Sequence, residues 1–193
     1  MFKKEMIWRE MLYQSIEKNN FNFQQQKLAK KFNFSLSTVF NALKIPREIK
    51  AIQVSGNGFK LINIEKLLYL WGTQRKLGKD IIYKTFVGEP IEKIEANMPS
   101  NIIWSAFSAY KYKFKETPSD YGKVYIYGNN IDEIKKRFPA KKGPENLYVL
   151  KQDEYLKDYG QCGTLGQIFV DLWNNEDWYA QEFLKKLKEK IKI

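Results

Sequence analysis

Two short apolar stripes, separated by a few turn-forming residues, constrain this chain more than any other feature. In QQKLAKKFNFSLSTVFNAL, residues 25–43, Leu28, Ala29 and Phe32 fall one helical turn apart. Val39, Ala42 and Leu43 do the same further on, so the stretch reads as two short helices whose apolar stripes face each other. Ala29 and Ala42 are small where the helices would cross. Asn33 suits the left-handed residue that closes the turn, and Ser35 suits the N-cap of the second helix. With the inner face assigned, Leu36, Ser37, Thr38, Phe40, Asn41 and Lys44 are left on or near the outer face. Ser, Thr and Asn side chains are of the kind that reach base edges or phosphates. The spacing therefore predicts a helix-turn-helix whose second helix faces DNA.

The flanks extend this reading. Pro46 is expected to end the second helix. KAIQVSGNGFKLIN then alternates apolar and polar residues on both sides of Gly56, Asn57 and Gly58, which is a hairpin pattern, and a hairpin directly after a recognition helix is a wing. Lys50, Gln53, Ser55, Asn57 and Lys60 are expected on or beside its projecting tip, within reach of the sugar-phosphate backbone or the minor groove. Arg47 and Lys44 are expected backbone contacts, together with Gln26 and Lys27 at the start of the first helix of the pair. Upstream, EMIWREMLYQSIEKN spaces Ile7, Met11, Leu12 and Ile16 as a helix, completing a winged helix-turn-helix over residues 1–76.

The same pattern could belong to a packed domain or to a protein-interaction module, and charge helps to choose. Residues 1–76 carry 14 Lys and Arg against 5 Asp and Glu, a net of +9, whereas residues 77–193 carry 19 against 17, a net of +2. Nearly all of the net +11 thus sits with the motif, as expected of a phosphate binder.

Composition bounds the remainder. With 44% hydrophobic and 16% aromatic residues, 193 residues are ample for packed cores. No apolar run of about 18 residues and no charged-then-apolar leader is found, so neither a membrane span nor a signal peptide is expected, and a cytoplasmic location is. Cys162 is the single cysteine, which excludes an intrachain disulfide. The absence of histidine excludes histidine-based acid-base catalysis, and neither a metal nor another cofactor is expected.

The second part mixes periods. IEKLLYLWGTQRKLG places Ile64, Leu67, Leu68, Leu70 and Trp71 before Gly72 as a linking helix, with a boundary near Arg75 to Lys79. IIYKTFV, KVYIYG and NLYVLK read as strands; NIIWSAFSAYKY, IDEIKKRF, TLGQIFVDLW and DWYAQEFLKKLKEKI read as helices. The expected fold is α/β (α+β): residues 77–193 form a small mixed sheet flanked by helices. In the last helix, Trp178, Phe183, Leu184, Leu187 and Ile191 should face inward, and Lys185, Lys186, Lys188, Lys190 and Lys192 outward.

Enzymatic motifs are weak. Asp80, Glu89, Glu92, Asp120, Asp132 and Asp171 are scattered, and no GxxxxGK[ST] or GxGxxG loop occurs. Gly160, Gly163 and Gly166 read as a loop before a helix, and Cys162 as an ordinary thiol without a base beside it. Gln167 and Asp171 lie four residues apart on one helical face with Trp173 nearby. They either bridge neighbouring elements or belong to a partner or ligand surface.

The order LAKKFNFSLSTVFNAL, NIIWSAFSAY, KVYIYG, NLYVLK and QIFVDLWNNEDWYAQEFL resembles the AbiEi-type antitoxins and related winged-helix regulators. That resemblance implies binding to double-stranded DNA upstream of the chain's own operon and repression of it. It also implies a C-terminal part that counters a nucleotidyltransferase-like toxin without necessarily binding it. The positions carried over are Ser37, Thr38 and Asn41 on the recognition helix and Lys50, Asn57 and Lys60 on the wing. The expected function is an autorepressing, sequence-specific DNA-binding regulator, with a homodimer if the target is an inverted repeat. The rivals are a metal-dependent nuclease using Asp120 or Asp171 and a winged-helix protein-interaction module.

Overall fold

The computed structural model describes residues Met1 to Ile193. The chain opens with α1 (Lys3–Glu17), a two-residue strand β1 (Asn22–Phe23) and the helix pair α2 (Gln25–Phe32) and α3 (Leu36–Glu48). The hairpin β2 (Ile52–Ser55) and β3 (Gly58–Leu61) follows, then α4 (Ile64–Gln74). β3 is the centre of an antiparallel sheet ordered β1-β3-β2, with Phe23 opposite Phe59 and Ser55 opposite Gly58. The turn itself is Gly56 and Asn57, and Gly58 opens β3. Gly58 has φ +147, and a Cβ there would lie 2.2 Å from the Phe23 carbonyl oxygen. Glycine is therefore what lets β1 close onto the hairpin.

The helix pair forms as its spacing predicts. Leu28, Ala29 and Phe32 of α2 and Val39, Ala42 and Leu43 of α3 are buried. Asn33 adopts φ +50, while its own N–H reaches Lys30 O and that of Phe34 reaches Ala29 O, the paired bonds of a Schellman turn. Ser35 caps α3 by accepting from the Thr38 N–H at 3.2 Å.

Pro46 does not end α3, which runs on to Glu48. Proline at 46 cannot donate to the carbonyl of Ala42, four residues back. The Trp8 indole N–H from α1 donates to that carbonyl instead, at 2.8 Å. The helix stops two residues later, at Glu48, in a second Schellman turn: Lys50 has φ +56, its N–H bonds to Arg47 O, and the Ala51 N–H bonds to Pro46 O.

After a 3₁₀ turn (Leu77–Asp80), the chain forms β4 (Ile81–Thr85), α5 (Ile91–Ala96), β5 (Ile103–Ser105), α6 (Ala106–Phe114) and β6 (Val124–Gly128). It continues through α7 (Ile131–Arg137), β7 (Leu147–Lys151), a 3₁₀ turn (Leu156–Tyr159), α8 (Leu165–Trp173) and α9 (Ala180–Ile191). The sheet order is β4-β7-β6-β5, with β6 and β7 parallel through α7 and the other pairs antiparallel. The molecule is thus a mixture of helices and two small sheets, of the α+β kind.

Three details depart from the sequence reading. NIIWSAFSAYKY is not helical throughout: Ile103–Ser105 pairs with Tyr125–Tyr127 as β5, and Ala106 at φ +46 turns the strand directly into α6. α5 was not anticipated, because six residues behind Pro90 are too few to display a period. Trp178 precedes α9 rather than lying on its inner face, and it is 74% exposed. Phe183, Leu184, Leu187 and Ile191 are buried as expected.

Alternation along β6 and β7 divides the core. Val124, Ile126, Leu147 and Val149 pack with Ile94, Ile134 and Phe138 of the α5–α7 side in a nine-residue cluster. Tyr125, Tyr127 and Leu150 turn the other way, into a 40-residue cluster that also takes in α1 to α4, α6, α8 and α9. Both faces of β6 are covered, which explains why VYIYG reads as one continuous apolar run. Packing is continuous across residues 75–79, where Arg75 is only 3% exposed. α1 and α8 approach so closely that a Cβ on Gly166 would lie 3.1 Å from the Leu12 Cβ.

Candidate nucleic-acid interface

The outer face of α3 carries Leu36, Ser37, Phe40, Asn41, Lys44 and Arg47, all exposed, with Thr38 half-buried beside them. Leu36, Phe40, Lys44 and Arg47 follow one another at three or four residues, as do Ser37, Asn41 and Lys44, so they form one stripe along the helix. At its start the Ser35 hydroxyl lies 2.9 Å from both the Ser37 and Thr38 hydroxyls. These hydroxyls sit where the free N–H groups of the helix end favour anions. Midway, the Phe40 ring is flanked by Lys44 Nζ at 5.7 Å and the Arg47 guanidinium at 5.4 Å, both within cation-π range. Leu36 and Phe40 are 51% and 42% exposed, an unusual cost for apolar side chains on a helix whose other face is buried.

The hairpin tip meets the beginning of α2. A groove of about 260 Å³ is lined there by Gln24, Lys27, Ser55 and Asn57 among others, and a second of about 330 Å³, which shares Gln24, Ser55 and Asn57, by Gln26 and Val54 as well. Gln26, Lys27, Ser55 and Asn57 are therefore brought together. Lys60 stands back from the tip on β3, opposite Gln53 and Asn22. Lys50 is not beside the tip; it occupies the left-handed position that closes α3, at the base of the hairpin, because the helix extends past Pro46.

Lys27, Lys44, Arg47, Lys50 and Lys60 are all exposed, and none has a carboxylate within ion-pair distance. Lys30 joins them, a residue the sequence reading passed over. It lies three positions from Lys27 on the same helix, but sequence alone does not separate it from its neighbour Lys31, which is held by Glu10 at 2.6 Å. That same α1 carboxylate accepts from Tyr159, so Lys31 is drawn toward the body of the protein.

Gln167 and Asp171 do not form a surface. Both are 0% exposed, because α8 is enclosed by α1, α4, α6 and α9. Asp171 accepts from Ser105 Oγ at 2.8 Å, from the Tyr127 hydroxyl, from Arg75 Nε at 3.2 Å and from Gln167 Nε2 at 3.1 Å. Arg75 also reaches Glu5 at 3.3 Å and Asp80. Burial opposes the Arg75 charge, but Tyr127, Asp171, Asp80 and Glu5 around it hold its pKa above the ordinary value. Burial raises the Tyr127 phenol well above its usual range. The bridging role is the one these two side chains play. Trp173 is 38% exposed and packs on Tyr69 and Phe169, with ring centroids 5.1 and 6.1 Å away.

Asp120 is exposed whereas Asp171 is committed to Arg75, and no group of three His, Cys, Asp or Glu side chains converges in a way that could hold a metal ion. No helix is long and apolar enough to cross a membrane. Comparison with protein-family models, curated proteins and solved structures gives no match to this chain.

Proposed function

We propose that this chain is a sequence-specific, double-stranded DNA-binding regulator, and that residues 1–76 act as a winged helix-turn-helix. The observation that carries the reading is the exposed α3 stripe, which bears Ser and Asn side chains of the kind that can read bases, amid cations that no acid neutralises. α3 enters the major groove, where Ser37 and Asn41 meet base edges and Leu36 and Phe40 meet thymine methyl groups. Lys27, Lys30, Lys44, Arg47 and Lys60 neutralise phosphates and fix the register, while Ser55 and Asn57 at the hairpin tip approach the flanking backbone or minor groove. In line with the antitoxin resemblance, the target is the DNA upstream of its own gene, and the regulated operon includes a nucleotidyltransferase-like toxin.

Fluorescence anisotropy of the protein on its upstream DNA and on a scrambled duplex of equal length, across a salt series, tests this. About five phosphate contacts give a log-log salt slope near −4.5, and the native duplex should bind in clear preference. Asn41→Ala should cost about 1 to 3 kcal/mol on the native duplex and relax one base position, whereas Lys44→Ala should weaken both duplexes and flatten the slope by about one. Weak, salt-insensitive binding that is equal on both duplexes would overturn the proposal and favour a protein-docking role for the same face.

A further inference from the structure

On the far part of the molecule a hollow of about 460 Å³ is lined by Glu95, Trp104, Ser108, Lys111, Tyr112 and Lys115. Three of these residues, Ser108, Lys111 and Tyr112, lie on one side of α6, and Lys115 is the residue that closes the helix beside them. Ser108 is 3% exposed, and its hydroxyl makes no hydrogen bond of normal geometry in the protein; the nearby Tyr121 hydroxyl is turned to Glu95 instead. A buried hydroxyl left in this state carries its desolvation penalty uncompensated, and each such group calls for an explanation.

The charges of the hollow are also unbalanced. Glu95 is satisfied twice, by Lys111 at 2.9 Å and by the Tyr121 hydroxyl. Lys115 has no acid partner; it is held at φ +58 at the end of α6, with its Nζ 4.6 Å over the Tyr112 ring. Tyr112 is 44% exposed and Trp104 is half-buried, so aromatic surface borders the free cation and the free hydroxyl.

We propose that this hollow binds a small planar aromatic anion, with its ring against Trp104 and Tyr112 and its acidic group on Lys115 and Ser108. The volume suits a ligand of one or two rings, and the lining matches the usual make-up of such sites, mostly apolar contact with a few polar groups that fix orientation. The ligand supplies the acceptor that Ser108 lacks and the counter-charge that Lys115 lacks. This site is separate from the α3 face and does not depend on the DNA-binding reading.

The test is a titration of the full ¹⁵N-labelled chain with 2-naphthoate, with neutral 2-naphthylmethanol and acetate as controls, followed by amide shifts. Saturable shifts confined to the α6 stripe and Trp104 are expected with naphthoate, with the alcohol about ten-fold weaker and acetate inert. Lys115→Met should abolish the preference for acid over alcohol. Ser108→Ala should weaken naphthoate about three-fold or more while leaving the melting temperature of the free protein unchanged or higher, since it removes an unpaired buried group. Unsaturable or dispersed shifts, or equal responses to acid and alcohol, would overturn the proposal. So would a Ser108→Ala protein that melts lower yet binds naphthoate unchanged.

Discussion

Replacing Trp8 by phenylalanine probes how α3 carries a proline in its last turn. The Trp8 indole is 1% exposed, and its N–H supplies the hydrogen bond that Pro46 cannot give to the Ala42 carbonyl. Trp8→Phe leaves that buried acceptor unpaired, at about 1 to 3 kcal/mol, and opens a void worth about another 1 to 2 kcal/mol. In a Pro46→Ala background the alanine N–H restores the ordinary bond to residue 42, so Trp8→Phe should then cost only the void. The two substitutions should therefore couple by about 1 to 3 kcal/mol. Denaturant unfolding of the four proteins in the cycle measures this, and each kcal/mol corresponds to about 2 to 4 °C in melting temperature for a chain of this size. If Trp8→Phe costs the same in both backgrounds, within about 0.5 kcal/mol, the indole is only filling space and the explanation for the uninterrupted helix is wrong.

Three further outcomes are expected. Lys50→Gly should relieve a left-handed lysine and raise stability by about 0.5 to 1 kcal/mol in thermal melts; a loss of stability would contradict the strain. Burial raises the Glu5 carboxyl above its ordinary 4.5, outweighing the pull of Arg75, so the folded state holds this proton more tightly than the unfolded chain. Its stabilising contribution is complete below pH 4.5 and is lost as pH rises through the raised value, so Glu5→Gln should flatten that portion of the wild-type stability curve; parallel curves for the two proteins would refute it. Burial pushes the Cys162 thiol up to about 12, and its Sγ donates to Ala109 O at 3.3 Å, so iodoacetamide at pH 8 should label unfolded protein readily and native protein hardly at all; rapid native labelling would mean that this segment opens.

What could be read in the sequence was whatever the chain decides locally. The α2 and α3 stripes, the Asn33 turn, the Ser35 cap and the strands β4, β6 and β7 each rest on neighbours within a few residues, so periodicity and capping chemistry were enough. Long-range partners decided the rest. Asp171 became a buried bridge through Arg75, Ser105 and Tyr127, which are 96, 66 and 44 residues away, and nothing in GQIFVDLW announces them. α3 survived Pro46 because of a tryptophan 34 residues from the carbonyl it serves. β5 was hidden because its apolar residues run straight into those of α6, and only the Ala106 backbone separates two periods. At the candidate interface, the exposed side-chain types were legible, but which lysines remain unpaired was not, because Glu10 of α1 selects Lys31 from a different helix.

The 40-residue cluster that joins α1 to α4 with α6, α8 and α9 has a mechanical consequence. The α3 stripe is mounted on the same solid as the four-stranded sheet, without a pivot between them, so it does not swing as a reading head on a tether. On the DNA-binding reading proposed above, a signal that changes what this face grips must then reposition or pair whole molecules, and a mutation deep in α8 reaches the face as a loss of folded protein rather than as a change of aim.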